Sequence, residues 1–286
     1  MIVGIIGAEN SHSKAIAKIL NVEKKIKGIS VDYLWGETEV FAKDTAEEGK
    51  IPNIVKKPKD MLGKVDAVLV DHRHPKYHLD AVRPFVEQGI PTFVDKPFCF
   101  KPEKGADFLK LARKSGAPVT SFSVVPMQAS FRKFKKAIEQ IGTVVAGSTY
   151  GPCDLNSKWG GVFFYGIHQV EMALMAFGYD VKSVLITKNG NGATGQLMYT
   201  DGKIITMNLV KEGAPRFGIS AIGSEKATHS NLPMDKSPYL SGVKTFCAMF
   251  KSRVEPIPHD LILRPVQVLD ALARSKKSGQ IEKVIK

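Results

Sequence analysis

Apolar runs of strand length alternate with stretches of helical period over the first 120 residues. Residues 2–6 form such a run, and residues 11–20 place Ala15, Ile16, Ile19 and Leu20 at helical spacing. Buried strands separated by helices favour a parallel sheet that is covered on both faces. The pattern predicts further strands at 28–34, 66–70, 91–94 and 118–124, and further helices at 39–48, 76–88 and 102–114.

The regular alternation of predicted strands and helices ends near residue 120, and after it strand patterns begin to follow one another. Asp201-Gly202 is a hairpin signal between two of them. We therefore predict a first α/β domain at 1–120 and an α+β domain with a mostly antiparallel sheet at 121–286. The closing helix could pack back on the first domain. In the second domain the strands are predicted at 143–150, 181–188, 194–200, 203–210 and 217–222, and the helices at 129–139, 166–177 and 261–278.

Composition indicates an ordinary globular protein. The chain has 286 residues, of which 43% are hydrophobic and 24% charged, enough for two domains with cores of their own. Its three cysteines are widely spaced, which suits packed thiols in a reducing compartment. Because no signal peptide and no apolar run of about 18 residues is evident, we expect a cytoplasmic protein that does not contact a membrane.

The formal net charge of +13 raises the question of a polyanionic partner. The lysines are scattered, however, and the densest groups, at 24–27 and 132–136, fit solvated helix faces or loops. No nucleic-acid-binding motif accompanies them. We therefore expect no nucleic acid partner, since that reading rests on net charge alone.

The turn after the first strand lies where a dinucleotide-binding domain has its glycine fingerprint. Counting from Gly7, the second and third glycine positions hold Glu9 and His12. Glu9 brings bulk and negative charge to a place where a phosphate should approach. A phosphate turn and a capped turn without a ligand both remain open. The candidate cofactor contacts in this turn are Gly7, Ala8, Asn10, Ser11 and His12.

Glu37 follows the second predicted strand, at the place where an acid accepts hydrogen bonds from the adenosine ribose. An exposed turn is the alternative. No arginine follows that could bind a 2′-phosphate, so the sequence slightly favours NAD over NADP as the cofactor.

The clearest local signal is the strand at 91–94, which leads into Asp95-Lys96-Pro97. Pro97 keeps Lys96 out of the helical region, so the ammonium is held in an extended segment at the carboxyl edge of the sheet. A lysine placed there can polarise a substrate carbonyl or hydroxyl. An exposed lysine before a loop proline is the alternative.

The segment from Asp66 to Pro97 resembles the glucose-fructose oxidoreductase, inositol dehydrogenase and MocA family (Gfo/Idh/MocA). The similarity comprises the strand Asp-Ala-Val-Leu-Val, a loop with Pro75 and His78, and the Asp95-Lys96-Pro97 version of a Glu-Lys-Pro motif. It implies a Rossmann domain followed by a sheet domain whose open face often makes dimers, here a homodimer or homotetramer. It also implies that Pro75, His78, Asp95 and Lys96 lie at the cofactor.

The second domain contains a match to the family's Asp-x-Gly-x-His segment, with Gly166 and His168 retained and Phe164 in place of the aspartate. The resemblance makes His168 the general base, with Lys96 polarising the reacting oxygen. A histidine beside apolar residues is otherwise most often a satisfied core group. Phe164 removes a carboxylate from the site and thereby raises the possibility of altered chemistry.

The loop at 71–78 holds Asp71, His72, His74 and His78. Metal ligation is conceivable at this spacing, but polar residues that line a cleft explain it better, and we predict no metal. His72 is kept as a candidate cofactor contact.

The function these features favour is NAD(P)-dependent hydride transfer at a secondary hydroxyl or carbonyl of a sugar, cyclitol or related polyol. Glu9 and Phe164 motivate the alternative, a family member without turnover that acts as a ligand-binding or dinucleotide-binding sensor. Substrate identity depends on second-domain loops such as 151–160 and 229–240, which the sequence does not resolve.

Overall fold

The computed structural model describes residues 1–213 and 216–285, and its strands form two separate sheets. The strands are β1 (Ile2–Ile6), β2 (Ser30–Trp35), β3 (Asn53–Ile54), β4 (Ala67–Val70), β5 (Thr92–Val94), β6 (Val119–Thr120), β7 (Val144–Pro152), β8 (Val181–Asn189), β9 (Gly192–Tyr199), β10 (Ile204–Val210), β11 (Phe217–Gly223), β12 (Ala227–Leu232) and β13 (Glu282–Lys283). The helices are α1 (Ser11–Ala17), α2 (Glu39–Gly49), α3 (His78–Glu87), α4 (Pro102–Ser115), α5 (Ala129–Ile138), α6 (Val162–Phe177), α7 (Leu240–Ser252) and α8 (His259–Ser278).

The first sheet is parallel, with strand order β3-β2-β1-β4-β5-β6. This is the order of a doubly wound dinucleotide-binding sheet, which changes direction between β1 and β4. All four residues of β4 are buried, as expected for a strand covered on both faces. The predicted α/β fold of the first domain is confirmed.

Helix boundaries in this part of the chain follow local signals. Thr38 accepts a hydrogen bond from the Phe41 N–H at 3.2 Å and so caps α2. Gly116 ends α4 in the left-handed conformation at φ +68°. Helix α1 is shorter than predicted, because the chain continues from Lys18 to Val22 as a π-helical turn.

The chain divides into two compact units, of which the first combines Met1–Phe122 with Tyr239–Ile262. The second combines Ser123–Pro238 with the chain from Leu263 to the carboxyl end. The segment that contains α7, which the sequence analysis placed in the second domain, therefore groups with the parallel sheet. Phe246 of α7 stacks on Phe93 of β5, with ring centroids 4.6 Å apart. The Arg253 guanidinium donates to the Gly89 and Gly116 carbonyls, each at 2.8 Å.

The second sheet has the order β12-β11-β7-β10-β9-β8-β13. Its strands pair antiparallel except β7 and β10, which are parallel. Tyr199 and Lys203 close the β9–β10 hairpin through a backbone hydrogen bond of 3.1 Å. The predicted α+β fold with a mostly antiparallel sheet is confirmed.

One face of the second sheet is packed by helices. A Cβ on Gly147 would lie 2.7 Å from the Phe177 ring of α6, so a glycine is needed at that crossing. Leu272 of α8 approaches Gly195 on the same face. From Leu263 onward α8 belongs to this second unit, and only its first turn groups with the first unit.

Several elements differ from the sequence expectation. The strand predicted at 118–124 is ordered as a strand only at Val119–Thr120. Helix α6 begins at Val162, ahead of the predicted 166. The first four residues of the loop predicted at 229–240 belong to strand β12, residues 233–239 form the connection, and α7 begins at Leu240. Polar residues alternate along β12 without a strong apolar side, which explains why its pattern did not signal a strand.

Along residues 1–213 and 216–285, no helix combines the length and apolar character needed to cross a bilayer.

Candidate functional site

Polar side chains gather at the carboxyl ends of β1, β4 and β5, the edge where open α/β sheets bind their ligands. The turn after β1 supplies Asn10, the first residues of α1 supply His12 and Ser13, and Asp71 and Asp95 follow β4 and β5. Adjacent parallel strands bring these distant residues together because their carboxyl ends meet at one edge.

Gly7 is the residue that lets the first turn pass close to the end of β4. It has φ +112°, and a Cβ there would lie 2.8 Å from the Asp71 carbonyl carbon and 2.9 Å from the His72 nitrogen. Its N–H donates to the Trp35 carbonyl at 2.8 Å. The close approach therefore requires glycine on both steric and conformational grounds.

Glu37 holds this turn by hydrogen bonds to its backbone. Its Oε2 accepts hydrogen bonds from the N–H groups of Ala8 at 2.7 Å and of Glu9 at 3.0 Å. Its Oε1 is enclosed and has no hydrogen-bond partner among the residues that the structure describes. Such an acceptor suits a ligand hydroxyl, because a buried carboxylate oxygen without a partner is costly.

Asp71 is completely buried and is held by short polar contacts. Asn10 Nδ2 donates to its Oδ1 at 2.6 Å, and Ser13 Oγ lies 2.5 Å from its Oδ2 and 2.8 Å from the Gly7 carbonyl oxygen. One serine proton cannot serve both acceptors. Both contacts are satisfied when Asp71 is protonated and donates to Ser13, which then donates to Gly7. Burial raises the pKa of Asp71 well above its usual range, and the negative charge of Asp95 adds to the rise.

Asp95 behaves in the opposite way, although it too is buried. Burial works to raise its pKa, but the positive charges of His12 and Lys96 outweigh burial and hold that pKa below its usual range. His12 Nδ1 lies 3.1 Å from Asp95 Oδ1. Because an ionised carboxylate can only accept, His12 Nδ1 is the donor. The two neighbouring acids thus divide into a neutral Asp71 and an ionised Asp95.

The ligating atoms of His12, Asp71 and Asp95 lie within 4.8 Å of one another, close enough to surround a metal ion. Metal binding would require an ionised Asp71. It would also displace the hydrogen bonds that Asn10 and Ser13 make to that carboxyl. The network is satisfied by protein groups, and the absence of a metal stays a prediction.

Lys96 follows Asp95 directly and is only 8% exposed. The Lys96–Pro97 peptide bond is cis. The positive charge of Lys96 interacts electrostatically with both Asp71 and Asp95, and it lowers the pKa of Asp95. The sequence prediction that this lysine is held at the carboxyl edge, rather than left in solvent, agrees with its burial.

His78 connects the loop after β4 and the loop after β5 by hydrogen bonds. The side chain is fully buried, with Nδ1 3.0 Å from the Pro97 carbonyl and Nε2 2.8 Å from the His72 carbonyl. It thereby joins the loop after β4 to the loop that carries Lys96. Its burial fits this structural role between the two loops, and a direct cofactor contact by His78 stays a prediction.

His72 packs against Trp35 at the end of β2 and against Tyr77, with ring centroids 5.6 and 5.8 Å away. Burial, assisted by His78, lowers the pKa of His72 to about 3, so the ring is neutral. Its Nδ1 is enclosed without a partner among the described residues. Pro75 is buried and begins the short 3-10 turn that leads into α3.

His168 lies on α6 in the second unit and is 4% exposed. Its Nδ1 is 2.7 Å from Ser123 Oγ, and its ring meets Tyr165 and Phe217 edge to face. The Ser123 N–H donates to Glu171 Oε2 at 2.7 Å, one turn further along α6. Ser123 therefore fixes His168 and Glu171 together, a role that nothing in its sequence context indicated.

The three cysteines are buried thiols. Burial raises the pKa of each of them, Cys99, Cys153 and Cys247, to about 12. A thiol in that state is not a nucleophile at neutral pH.

Known proteins resemble this chain both in sequence and in structure. Residues 1–122 match the GFO_IDH_MocA oxidoreductase family with an NAD-binding Rossmann fold. A search of curated protein sequences gave no match.

Solved structures resemble the chain over almost its full length at low identity. A myo-inositol 2-dehydrogenase from Lactobacillus plantarum is 15% identical with a TM-score of 0.87, and the alignment covers 100% of this chain and 99% of that one. A scyllo-inositol dehydrogenase from Lactobacillus casei, solved with NAD(H) and scyllo-inositol, is 15% identical with a TM-score of 0.85 and 99% coverage of both chains. A probable dehydrogenase from Thermotoga maritima is 16% identical, with a TM-score of 0.86 and 99% coverage of both chains.

These likenesses establish a shared fold, and the match over residues 1–122 adds the family signature of the first unit. With the strand order, the Gly7 turn and the Asp95-Lys96-Pro97 segment, they agree with the resemblance seen in the sequence. Residues 1–122 thus match the Gfo/Idh/MocA oxidoreductase family, which has an NAD-binding Rossmann fold, and the chain as a whole shares its fold with solved dehydrogenase structures.

Proposed function

We propose that this protein is an NAD-dependent dehydrogenase or reductase that acts at a secondary hydroxyl or carbonyl of a cyclitol, sugar or related polyol. The observation that carries the proposal is the combination, at one sheet edge, of the Gly7 turn, a Glu37 oxygen without a hydrogen-bond partner among the described residues and a buried Lys96. The match of residues 1–122 to an oxidoreductase family with an NAD-binding Rossmann fold supports it.

The residues at this edge fit a dinucleotide. Gly7 keeps the turn free of a Cβ, and Glu37 offers Oε1 to a ribose hydroxyl while Oε2 remains on the turn. Ser11 is exposed beside them at the start of α1. A carboxylate at the ribose would repel a 2′-phosphate, which supports NAD over NADP.

When bound, NAD would supply the hydride acceptor. Lys96 would donate a hydrogen bond to the reacting oxygen and so stabilise the charge that develops there. His168 would take up the hydroxyl proton, with Ser123 fixing its ring through Nδ1. Phe164, where the family has an aspartate, would leave His168 without that carboxylate.

The substrate class comes from the relatives. Two of the similar structures are inositol dehydrogenases, and one of them holds scyllo-inositol. A polyol is therefore the substrate that we propose for this chain.

We expect Glu37→Gln to weaken NADH binding by about tenfold to a hundredfold, because it removes a charged acceptor of hydrogen bonds. NADPH binding should lose less, since the repulsion of the 2′-phosphate disappears. Nicotinamide fluorescence titrations of both proteins would measure this. Glu47→Gln, at an exposed position of α2, is the matched control. Equal NADH affinity in the native and Glu37→Gln proteins would show that Glu37 is not at the ribose.

We also propose that copies of the chain associate through the open face of the second sheet. Tyr150, Ile204, Val210 and Ile222 are exposed large apolar residues on strands β7, β10 and β11. Ala146 pairs with both Ile204 and Ile222, so their side chains lie in one row on one face. Light scattering should show at least a dimer, and a monomer at micromolar concentration would contradict this assignment.

A further inference from the structure

A cleft opens at the amino end of β2, the end of the strand opposite to Glu37. Its volume is about 470 Å³, and small-molecule sites commonly have volumes of about 300–1,000 Å³. The first residues of β2 line this β2 cleft, together with the turn that follows α1 and the chain just after α2. Strand residues advance about 3.3 Å each, so the four steps from Val31 to Trp35 separate the cleft from the candidate cofactor edge by on the order of 13 Å. The β2 cleft is therefore distinct from the site described above.

Hydrogen bonds from Asn21 hold the walls of the β2 cleft together. Asn21 Nδ2 donates to the carbonyls of Val31 at 2.8 Å and Gly49 at 3.0 Å, and its Oδ1 accepts from the Val31 N–H at 2.8 Å. The side chain thereby ties the turn after α1 to β2 and to the end of α2. Apolar side chains line the cleft between these segments, among them Leu20, Ile26 and Ile29.

The charged residues of the lining are mostly positive. Lys24, Lys27 and Lys50 line the β2 cleft, and Asp32 is the one acid among its lining residues. Within the part of the chain that the structure describes, no ion pair involves any of these three lysines. Because a concave surface lined by one sign of charge concentrates ions of the other sign, the cleft favours a negatively charged ligand.

Two of these lysines stand where the backbone does not favour lysine. Lys24 has φ +50° and Lys50 has φ +49°, in the left-handed region that is uncommon for residues other than glycine and asparagine. Glycine would adopt either conformation at less cost. The backbone therefore does not explain the choice of lysine at these two positions, whereas a positive charge beside the β2 cleft does.

We propose that the β2 cleft binds a small organic anion, whose carboxylate, phosphate or sulfonate group is attracted by Lys24, Lys27 and Lys50 and whose hydrocarbon frame packs on the apolar lining. This second ligand site is independent of the proposed NAD site. A single ion pair with an exposed lysine is weak, so burial of the hydrocarbon frame must supply part of the affinity. The ligand class therefore combines a negative charge with an apolar body.

The test uses anilinonaphthalene sulfonate, an anionic aromatic probe whose fluorescence rises when it leaves water. We expect saturable binding to the native protein in the presence of NAD⁺, and roughly tenfold weaker binding to the double variant Lys24→Gln/Lys50→Gln, because two charge contacts are lost. The matched control, Lys25→Gln/Lys56→Gln, removes the same charge from exposed positions outside the β2 cleft. It should keep the native affinity within about twofold.

A neutral probe and a spectroscopic measurement complete the test. Phenylnaphthylamine, which lacks the sulfonate, should bind the native protein roughly tenfold more weakly than the anionic probe. In ¹⁵N NMR spectra of the native protein, the anionic probe should shift the backbone amide signals of Ile29 and Val31, which line the β2 cleft.

Four results would overturn the proposal: equal affinity of the native protein and the Lys24→Gln/Lys50→Gln protein, an equal loss in both double variants, unshifted amide signals, or displacement of the probe by NAD⁺. The last result would place the probe in the cofactor site. None of these measurements follows hydride transfer, so the proposed function stands or falls separately, on the binding of NADH and the oxidation of a polyol.

Discussion

Lys96→Ala should bind NADH like the native protein but turn over its polyol about 10²-fold to 10⁴-fold more slowly, the range of a lost proton-handling group at the reacting atoms. The Lys96 side chain is buried at the carboxyl edge of the sheet, directly after the ionised Asp95. It can therefore stabilise negative charge on a substrate oxygen without help from solvent. The rate of NADH formation at saturating substrate, followed at 340 nm, measures the effect.

The matched control for this change is Lys101→Ala. Lys101 lies five positions further along the same loop and is exposed, so its loss should leave turnover within about twofold of native. If Lys96→Ala kept native turnover, Lys96 would not be a catalytic residue. If it lost NADH binding as well, the lysine would act in cofactor binding rather than at the substrate.

Gly7→Ala should destabilise the first unit by about 2–5 kcal/mol and abolish NADH binding in the protein that still folds. The added Cβ would lie 2.8–2.9 Å from the Asp71 carbonyl group and the His72 nitrogen, which are backbone atoms and cannot swing aside. The φ of +112° adds strain for any L side chain. Urea unfolding followed by fluorescence gives the free energy of unfolding, and NADH titration gives the binding loss.

Gly28→Ala separates the cost of a positive φ from the cost of the steric clash. Gly28 also has a positive φ, of +73°, but a Cβ there would meet no atom within 4 Å. It should therefore cost only about 1 kcal/mol and leave NADH binding unchanged. Equal destabilisation by the two alanines would contradict the steric account of the Gly7 turn.

The parallel sheet and the lysine were predictable because their signals are local. Continuous Val, Ile and Leu runs mark β1 and β4, and Asp95-Lys96-Pro97 directly follows a buried strand. The glycine turn was also recognisable from its place between the first strand and helix. In each case a few neighbouring residues carry the structural information.

The acid network and the grouping of α7 were not predictable in the same way. Asp71 and Ser13 are 58 positions apart, and only the fold shows that hydrogen bonds connect Asp71, Ser13 and the Gly7 carbonyl in a chain. Phe246 reaches Phe93 across an even longer separation in sequence, which assigns α7 to the first unit. Contacts between distant residues depend on the order of strands and helices in space, which a single sequence pattern does not encode.

The central claim is that this chain transfers hydride between NAD and a polyol. The most direct measurement mixes the native protein with NAD⁺ and a panel of inositol isomers and hexoses, and follows absorbance at 340 nm beside the Lys96→Ala protein. We expect NADH to form with at least one member of the panel in the native protein and far more slowly in the variant. Tight NADH binding without NADH formation from any member of the panel would contradict the claim and favour a dinucleotide-binding sensor.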